Sequence, residues 1–174
     1  DAVMAELGVI RVQTTEQMLD IARLATRGIY PAHNTLGVFT VSGGAGVIIS
    51  DAAAAHGLPM PAMPETAQQH LHELLPFCTP TNPVDTTAQV LNDMSLLRTF
   101  TESLVVDGGY ESILGFVTYT ATAATSGERV REALRAVAQT HPDRLYVLNA
   151  MGDADKLKRY EEDGFTIFED PSRA

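Results

Sequence analysis

The sequence predicts an α/β fold in which a mostly parallel five-stranded sheet lies between two layers of helices. Three observations predict it. Segments typical of strands and helices alternate from Leu36 onward. Two runs, Leu36–Val41 and Ile113–Tyr119, are almost continuously apolar, as in strands buried on both faces. Glycine and proline separate the segments. Such alternation is typical of parallel strands joined by right-handed helical crossovers.

The length of 174 residues suits a flavodoxin-like three-layer sandwich with five strands. Before Leu36, residues Ala2–Leu7 are predicted to be a helix end and Val9–Val12 a short strand. Thr14 and Gln17 have capping-box spacing, so a helix is expected to begin there.

Further helices and strands follow from hydrophobic periodicity and from turn residues. The remaining helices are expected at Val47–His56, Pro64–Leu75, from about Asp93, from Ser126, and at Asp153–Asp163. The remaining strands are expected at Leu145–Leu148 and Gly164–Phe168, with at best a short one at Leu58–Met60. A proline-rich loop is expected at Phe77–Thr87.

Composition excludes several classes of function. Twelve basic and 22 acidic side chains give a net charge of −10, which argues against nucleic-acid binding. The single cysteine, Cys78, cannot form an internal disulfide, so we expect a cytoplasmic protein. No apolar run approaches the roughly 20 residues that span a bilayer. Asp1 is not a natural start, and we expect the chain to be a piece of a longer protein.

The loop at residues 42–46 joins a predicted buried strand to the start of a helix. It contains Gly43, Gly44 and Gly46, which let a ligand approach the backbone closely. The first amides of a helix lack internal partners and carry partial positive charge, so a phosphate or a carboxylate fits there. Ser42 adds a hydroxyl donor. The alternative is that these glycines only allow the strand and the helix to pack closely.

Other nucleotide-binding loops fit this segment poorly. A dinucleotide-binding fingerprint requires glycine where Ile49 stands, and a phosphate-binding P-loop requires a lysine that is absent. The loop also lacks the run of hydroxyls expected of a flavin phosphate site. A phosphoacceptor aspartate is missing from the strand that ends at Tyr119.

The segment Asn82-Pro83-Val84-Asp85 is the second candidate. One interpretation is structural, with Asp85 accepting an amide hydrogen bond from Thr87 or Ala88 in an Asx turn. The other places Asn82, Asp85 and Thr86 at the carboxyl edge of the sheet, facing the same pocket as the glycine loop.

The histidines do not suggest a phosphorylated or metal-binding residue. None of the five lies in a loop rich in glycine or serine, and His70 and His72 are two apart on a predicted helix, so they face different directions. The acidic and basic residues of Asp153–Asp163 are typical of a solvated helix face. We therefore predict no catalytic residue and no metal site in this chain.

Four segments together resemble the NDP-forming acyl-CoA synthetases. Glu6–Val12 resembles the end of the family's CoA-ligase domain, and the helix that follows resembles its linker. Phe39–Leu58 is similar to the strand, loop and helix of its succinyl-CoA-ligase-like flavodoxin domain. Asn82–Asp85 is similar to a loop that recurs in that domain, and Arg159–Phe168 to its last helix and strand. The resemblance implies two domains, 1–34 and 35–174.

The resemblance also implies a reaction. In the family, an acyl-CoA and phosphate give an acyl phosphate, whose phosphoryl group passes to a histidine on a mobile loop and then to a nucleoside diphosphate. Two helix N-termini hold the phosphohistidine. One of them is implied here, with Ser42, Gly43, Gly44, Ala45 and Gly46 as phosphate contacts. CoA, ADP or ATP, and Mg are the cofactors implied for the parent enzyme.

The chain departs from the family pattern because nothing in it matches the loop that carries the histidine. The CoA-binding and ATP-grasp domains, the expected partners within an oligomeric parent, are also absent. We therefore expect the isolated chain to be inactive. Two alternatives remain: a docking or regulatory module, for example of a protein acetyltransferase, and a domain that binds an unknown small anion.

Overall fold

The computed structural model describes residues 2–174, apart from the side chain of Ala5, and Asp1 lies outside the described residues. Five strands form one sheet in the order β2-β1-β3-β4-β5, and every neighbouring pair is parallel. The strands are β1 Leu36–Thr40, β2 Val84–Asp85, β3 Ser112–Thr118, β4 Leu145–Ala150 and β5 Thr166–Phe168. The predicted flavodoxin-like α/β fold is therefore confirmed.

The described residues form seven α-helices: α1 Ala2–Glu6, α2 Thr15–Ala25, α3 Gly43–Ala55, α4 Glu65–Leu74, α5 Met94–Val106, α6 Gly127–Thr140 and α7 Ala154–Glu162. Two short 3-10 helices, Ala88–Asn92 and Tyr119–Ala121, follow β2 and β3. None of the helices is both long and apolar enough to cross a membrane within residues 2–174.

The two faces of the sheet carry hydrophobic cores of different size. The larger core contains the inner residues of α4, α5, α6 and α7. The smaller core contains Ile49 and Ala53 of α3 together with Leu36, Leu114 and Phe168 of the sheet. Helix α2 also lies on the side of the smaller core, against which Leu24 packs. Residues buried on both faces explain the continuous apolar runs of β1 and β3.

Three predictions about the elements are wrong. Val9–Val12 is not a strand, because no strand lies beside it and Val9 and Ile10 are exposed. Leu58–Met60 is not a strand either, although Pro59 O accepts a hydrogen bond from Leu36 N at 2.9 Å. Val84 and Asp85, predicted to lie in a loop, pair with Phe39 and Thr40 and form the edge strand β2.

Helix α3 begins four residues earlier than predicted, at Gly43 instead of Val47. Glycine has a low helix propensity, so the sequence places the glycines outside the helix. In the structure they form its first turn. This moves the N-terminus of α3 to the end of β1.

Candidate functional site

The N-terminus of α3 lies at the carboxyl edge of the sheet, between the ends of two neighbouring strands. Thr40 at the end of β1 is paired with Asp85 of β2 on one side and with Phe116 of β3 on the other. Ligands of doubly wound sheets bind at this edge. The fold therefore brings the glycine loop to the place where a ligand is expected.

The backbone between β1 and α3 is held in a fixed turn. Ser42 is the N-cap residue and has an extended backbone, with φ −148° and ψ 116°. Its amide donates to Thr40 Oγ1 at 2.9 Å, and that hydroxyl donates to Ser42 O at 2.8 Å. Ala45 N donates to Ser42 O at 3.1 Å and Gly46 N at 3.4 Å. Thr40 and Ser42 thus fix the direction of the first helical amides.

Two amides and a hydroxyl remain available at this helix end. Within residues 2–174, neither Gly43 N nor Gly44 N has a hydrogen-bond acceptor. The Ser42 side chain makes no capping hydrogen bond, which is unusual for a residue type favoured as an N-cap. All three residues are exposed. The first turn of α3 therefore presents unpaired donors to solvent, with the positive end of the helix dipole behind them.

The space available for a side chain differs among the three glycines of this turn. A Cβ on Gly46 would lie 3.3 Å from Pro83 Cβ, so Gly46 allows α3 to pack against the segment before β2. A Cβ on Gly43 would lie 2.9 Å from Asp85 Oδ2. A Cβ on Gly44 would meet nothing within 4 Å, and the backbone of Gly44 is not left-handed. No contact within the domain therefore requires glycine at position 44.

Asp85 lies beside the unpaired amides. Its Oδ1 accepts a hydrogen bond from Thr87 N at 2.9 Å, so the predicted Asx turn is present. Its Oδ2 faces Gly43. Here the carboxylate is favourable to the helix dipole, but it also opposes a second anion in front of α3.

Asn82 and Thr86 do not extend toward the unpaired amides. Asn82 Oδ1 accepts from Val38 N at 3.0 Å, and Asn82 Nδ2 donates to Leu36 O at 2.9 Å and to Pro61 O at 3.0 Å. Thr86 is fully buried, and both its amide and its hydroxyl donate to Thr40 O. These side chains extend the pairing along the edge of β1, and of the three predicted edge residues only Asp85 adjoins the turn at Gly43.

Two residues at this edge have a backbone that the sequence does not reveal. Thr87, after β2, has φ 53°, and Thr118, at the end of β3, has φ 48°. A positive φ is strained for a β-branched residue, and such strain concentrates at functional sites. Thr87 follows β2 and Thr118 ends β3, and these two strands flank β1. No sequence signal predicts them, because threonine usually indicates an extended backbone here.

Within the described residues, no histidine and no cysteine makes a hydrogen bond to the turn at residues 42–46, and no histidine forms an ion pair there. His33 hydrogen-bonds Glu111 at 2.8 Å, which lowers the pKa of that carboxyl. Burial raises the pKa of the Cys78 thiol, whose Sγ lies 3.7 Å from Leu71 O. Residues 2–174 contain no group of three or more metal-ligating side chains placed to hold an ion.

The fold and this edge define a doubly wound α/β domain with an exposed helix N-terminus suited to an anion. The sequence profile of the Ligase-CoA domain family matches residues 36–142. Because this is more than half of the chain, the protein belongs to the Ligase-CoA domain family. A search of curated protein sequences gave no match.

Solved structures share the fold. The crystal structure of PH0766 from Pyrococcus horikoshii OT3 matches with a TM-score of 0.86 and 20% identity, covering 99% of this chain and 40% of that one. The dinucleotide forming acetyl-coenzyme A synthetase 1 of Ca. Korarchaeum cryptofilum matches in its apo form with a TM-score of 0.81 and 18% identity. Its complex with phosphate and ADP matches with a TM-score of 0.80 and 18% identity.

The coverage of these matches is unequal. The two structures of the synthetase cover 99% of this chain, whereas this chain covers 38% and 37% of theirs. The chain thus spans about two fifths of the length of the proteins that it matches. At such low identity, the likeness shows the fold alone.

Proposed function

We propose that this chain is the flavodoxin-like domain of an NDP-forming acyl-CoA synthetase and that the N-terminus of α3 stabilises the phosphoryl group of a phosphohistidine. In this proposal, residues 1–34 are the end of a preceding CoA-ligase domain and a linker helix, and residues 35–174 are the domain itself. The histidine, the CoA-binding domain and the ATP-grasp domain belong to other parts of the parent enzyme. That enzyme uses CoA, ADP or ATP, and Mg, and it acts in the cytoplasm as an oligomer.

The observation that carries the proposal is the pair of unpaired amides at Gly43 and Gly44 with open space in front of Gly44. A glycine that packs against nothing in its own domain leaves room for something from outside it. The phosphoryl group has the charge and the acceptor oxygens that such amides bind. Ser42 supplies a third donor.

The proposed reaction asks little covalent chemistry of this domain. An acyl-CoA and phosphate give an acyl phosphate and free CoA, and the histidine then takes the phosphoryl group and releases the acid. A nucleoside diphosphate finally takes the phosphoryl group from the histidine. In each step the charge on the transferred group must be stabilised and its position fixed. Ser42, Gly43 and Gly44 would do so through hydrogen bonds, without exchanging a proton.

Inorganic phosphate provides the first test of this anion site. We expect millimolar phosphate to shift the backbone amide NMR signals of Gly43 and Gly44, with saturation. The signals of residues at the opposite edge, such as Gly109, should stay unchanged. Chloride at equal ionic strength is the control. If the Gly43 and Gly44 signals respond equally to both salts, or to neither, the site does not bind phosphate and the proposal fails.

A docking or regulatory module is the second candidate, and the outer face of α3 favours it. Val47 is 63% exposed and Ile48 is 66% exposed, both one turn after the unpaired amides. Adjacent exposed apolar side chains are typical of surfaces that another domain covers. A parent protein that binds its partner domain but forms no phosphohistidine would support this second candidate.

The isolated chain is expected to be inactive. Because no histidine of residues 2–174 bonds to the α3 N-terminus, the chain presents no histidine there to accept a phosphoryl group. Mixing the chain with acetyl-CoA, phosphate, ADP and Mg should release no more CoA than a sample without protein, as measured with a thiol reagent. CoA release proportional to protein concentration would contradict the assignment of catalysis to other domains.

Replacing Asp85 with asparagine is expected to strengthen phosphate binding. The amide oxygen can still accept from Thr87 N, so the turn is kept, while a negative charge beside the site is removed. A partly solvated charge at this range is worth about 1 kcal/mol, so the dissociation constant for phosphate should fall roughly 3–10-fold. Titration of the Gly43 and Gly44 amide signals measures it. An equal or weaker affinity would show that Asp85 does not oppose the bound anion.

A further inference from the structure

Helix α2 covers one face of the sheet without becoming part of its core. It lies on the side of α3, and Leu24 packs against the smaller hydrophobic cluster. None of its eleven residues is buried, and Met18 and Leu19 are 52% and 60% exposed. Its apolar contacts with the domain are therefore few.

Arg27, two residues after α2, makes the densest set of contacts between this segment and the domain. Its Nη1 donates to Glu161 O at 2.9 Å, near the C-terminus of α7. Its Nη2 donates to Phe165 O, and its Nε lies 3.3 Å from Thr166 Oγ1. Burial lowers the pKa of this guanidinium, so the charge is partly removed from water and needs these acceptors. Arg27 therefore joins α2 both to a helix end and to strand β5.

Two further attachments are also polar. Arg23 donates to Ile167 O at 2.9 Å and forms an ion pair with the carboxylate of Glu161. One turn earlier on the same face of α2, Arg173 of the C-terminal tail donates to both carboxylate oxygens of Asp20, at 3.0 and 2.7 Å. Hydrogen bonds and ion pairs thus attach α2 along its length.

An apolar groove lies beside α2 and remains open. A cavity of about 610 Å³ is bounded by α2, α3 and the C-terminal tail. Leu36, Ile49 and Leu114 are among the residues of its lining. Because α2 does not fill this groove, its removal would expose less apolar surface than the removal of a well-packed helix.

We propose that α2 is a strap that releases from the sheet as a unit while the five-stranded core stays folded, and that Arg27 is its principal anchor. Release uncovers the side of the groove that α2 bounds and changes the position of residues 2–14 relative to the sheet. The strap thus controls the orientation of residues 2–14 relative to the sheet. Release of α2 is independent of the proposed phosphoryl transfer.

Hydrogen exchange of the whole chain tests the strap. In Arg27→Ala, amides of α2 are expected to exchange at least about tenfold faster than in the wild type, while amides of β3 and β4 change less than about twofold. High salt should act in the same direction, because it screens the ion pairs of Arg23 and Arg173. Arg129→Ala is the matched control, since Arg129 is exposed and its guanidinium donates to Thr125 O, four residues earlier in the chain.

The exchange rates of α2, β3 and β4 distinguish a strap from an integral helix. Faster exchange confined to α2 in Arg27→Ala, with no effect of Arg129→Ala, supports the strap. An equal acceleration of α2 and of β3 and β4 would show that α2 is an integral part of the cooperative fold. Unchanged exchange of α2 would show that Arg27 is not its anchor. Either of these last two results overturns the proposal.

Discussion

Replacing Gly44 with glutamate is expected to abolish phosphate binding at α3 without lowering the stability of the domain. A Cβ at position 44 would meet no atom within 4 Å. A carboxylate in the first helical turn is also favourable to the helix dipole, by about 0.3–1 kcal/mol. The same carboxylate would lie beside the phosphate site, where repulsion between partly solvated charges costs about 1 kcal/mol in addition to the obstruction by its side chain. The melting temperature should stay equal or rise, while the phosphate response of the Gly43 amide disappears.

The control for this substitution is Gly44→Gln, which has the same size without the charge. We expect it to weaken phosphate binding less than Gly44→Glu does, because only steric obstruction remains. In the complete parent protein, Gly44→Glu should also reduce phosphohistidine labelling. Labelling and phosphate binding that match the wild type, in a folded variant, would eliminate the role of the α3 N-terminus.

Gly46 is a poorer probe of the same site. The sequence alone suggests that any of the three glycines would serve, because it does not show which of them packs against the domain. A larger side chain at position 46 would press on Pro83, so a loss of function could come from misfolding. Gly44 separates binding from folding because its neighbourhood is empty.

The sequence predicts the central part of the fold well because burial on both faces leaves a strong pattern. β1 and β3 are recognisable as apolar runs, and helices α5 and α6 have clear hydrophobic periodicity. The edge strand β2 has only two residues and follows a proline, so its pattern is too short to distinguish it from a loop. Val9–Val12 is the reverse case, because its β-branched residues predict a strand that the structure lacks. Such residues form a strand only where a neighbouring strand is available for pairing.

The candidate site is predictable in position but not in detail. A glycine loop between a buried strand and a helix identifies the edge of the sheet, and this requires only local sequence. The role of Asn82 depends on β1 and on Pro61, which are distant in sequence, so local reasoning misplaces its side chain. The positive φ of Thr87 and Thr118 is imposed by surrounding structure and leaves no mark in the residue type.

Replacing Asn82 with alanine is expected to destabilise the domain strongly without affecting the anion site directly. The change removes three hydrogen bonds and leaves Val38 N, in a fully buried residue, without its acceptor. Losing these bonds and orphaning a buried donor should cost about 2–3 kcal/mol in the free energy of unfolding. For a domain of this size the melting temperature should fall by roughly 5–10 °C. Thermal unfolding followed by circular dichroism measures both quantities.

The matched control is Asn92→Ala, because Asn92 is an exposed asparagine at the end of the 3-10 helix after β2. Its substitution should change the free energy of unfolding by no more than about 0.5 kcal/mol. Folded Asn82→Ala should bind phosphate with the affinity of the wild type, since its side chain lies along β1 and not at Gly43. If the folded variant instead bound phosphate more weakly with little loss of stability, Asn82 would have to contact the bound anion. The two asparagines therefore test whether the edge of β1 supports the fold or contacts the ligand.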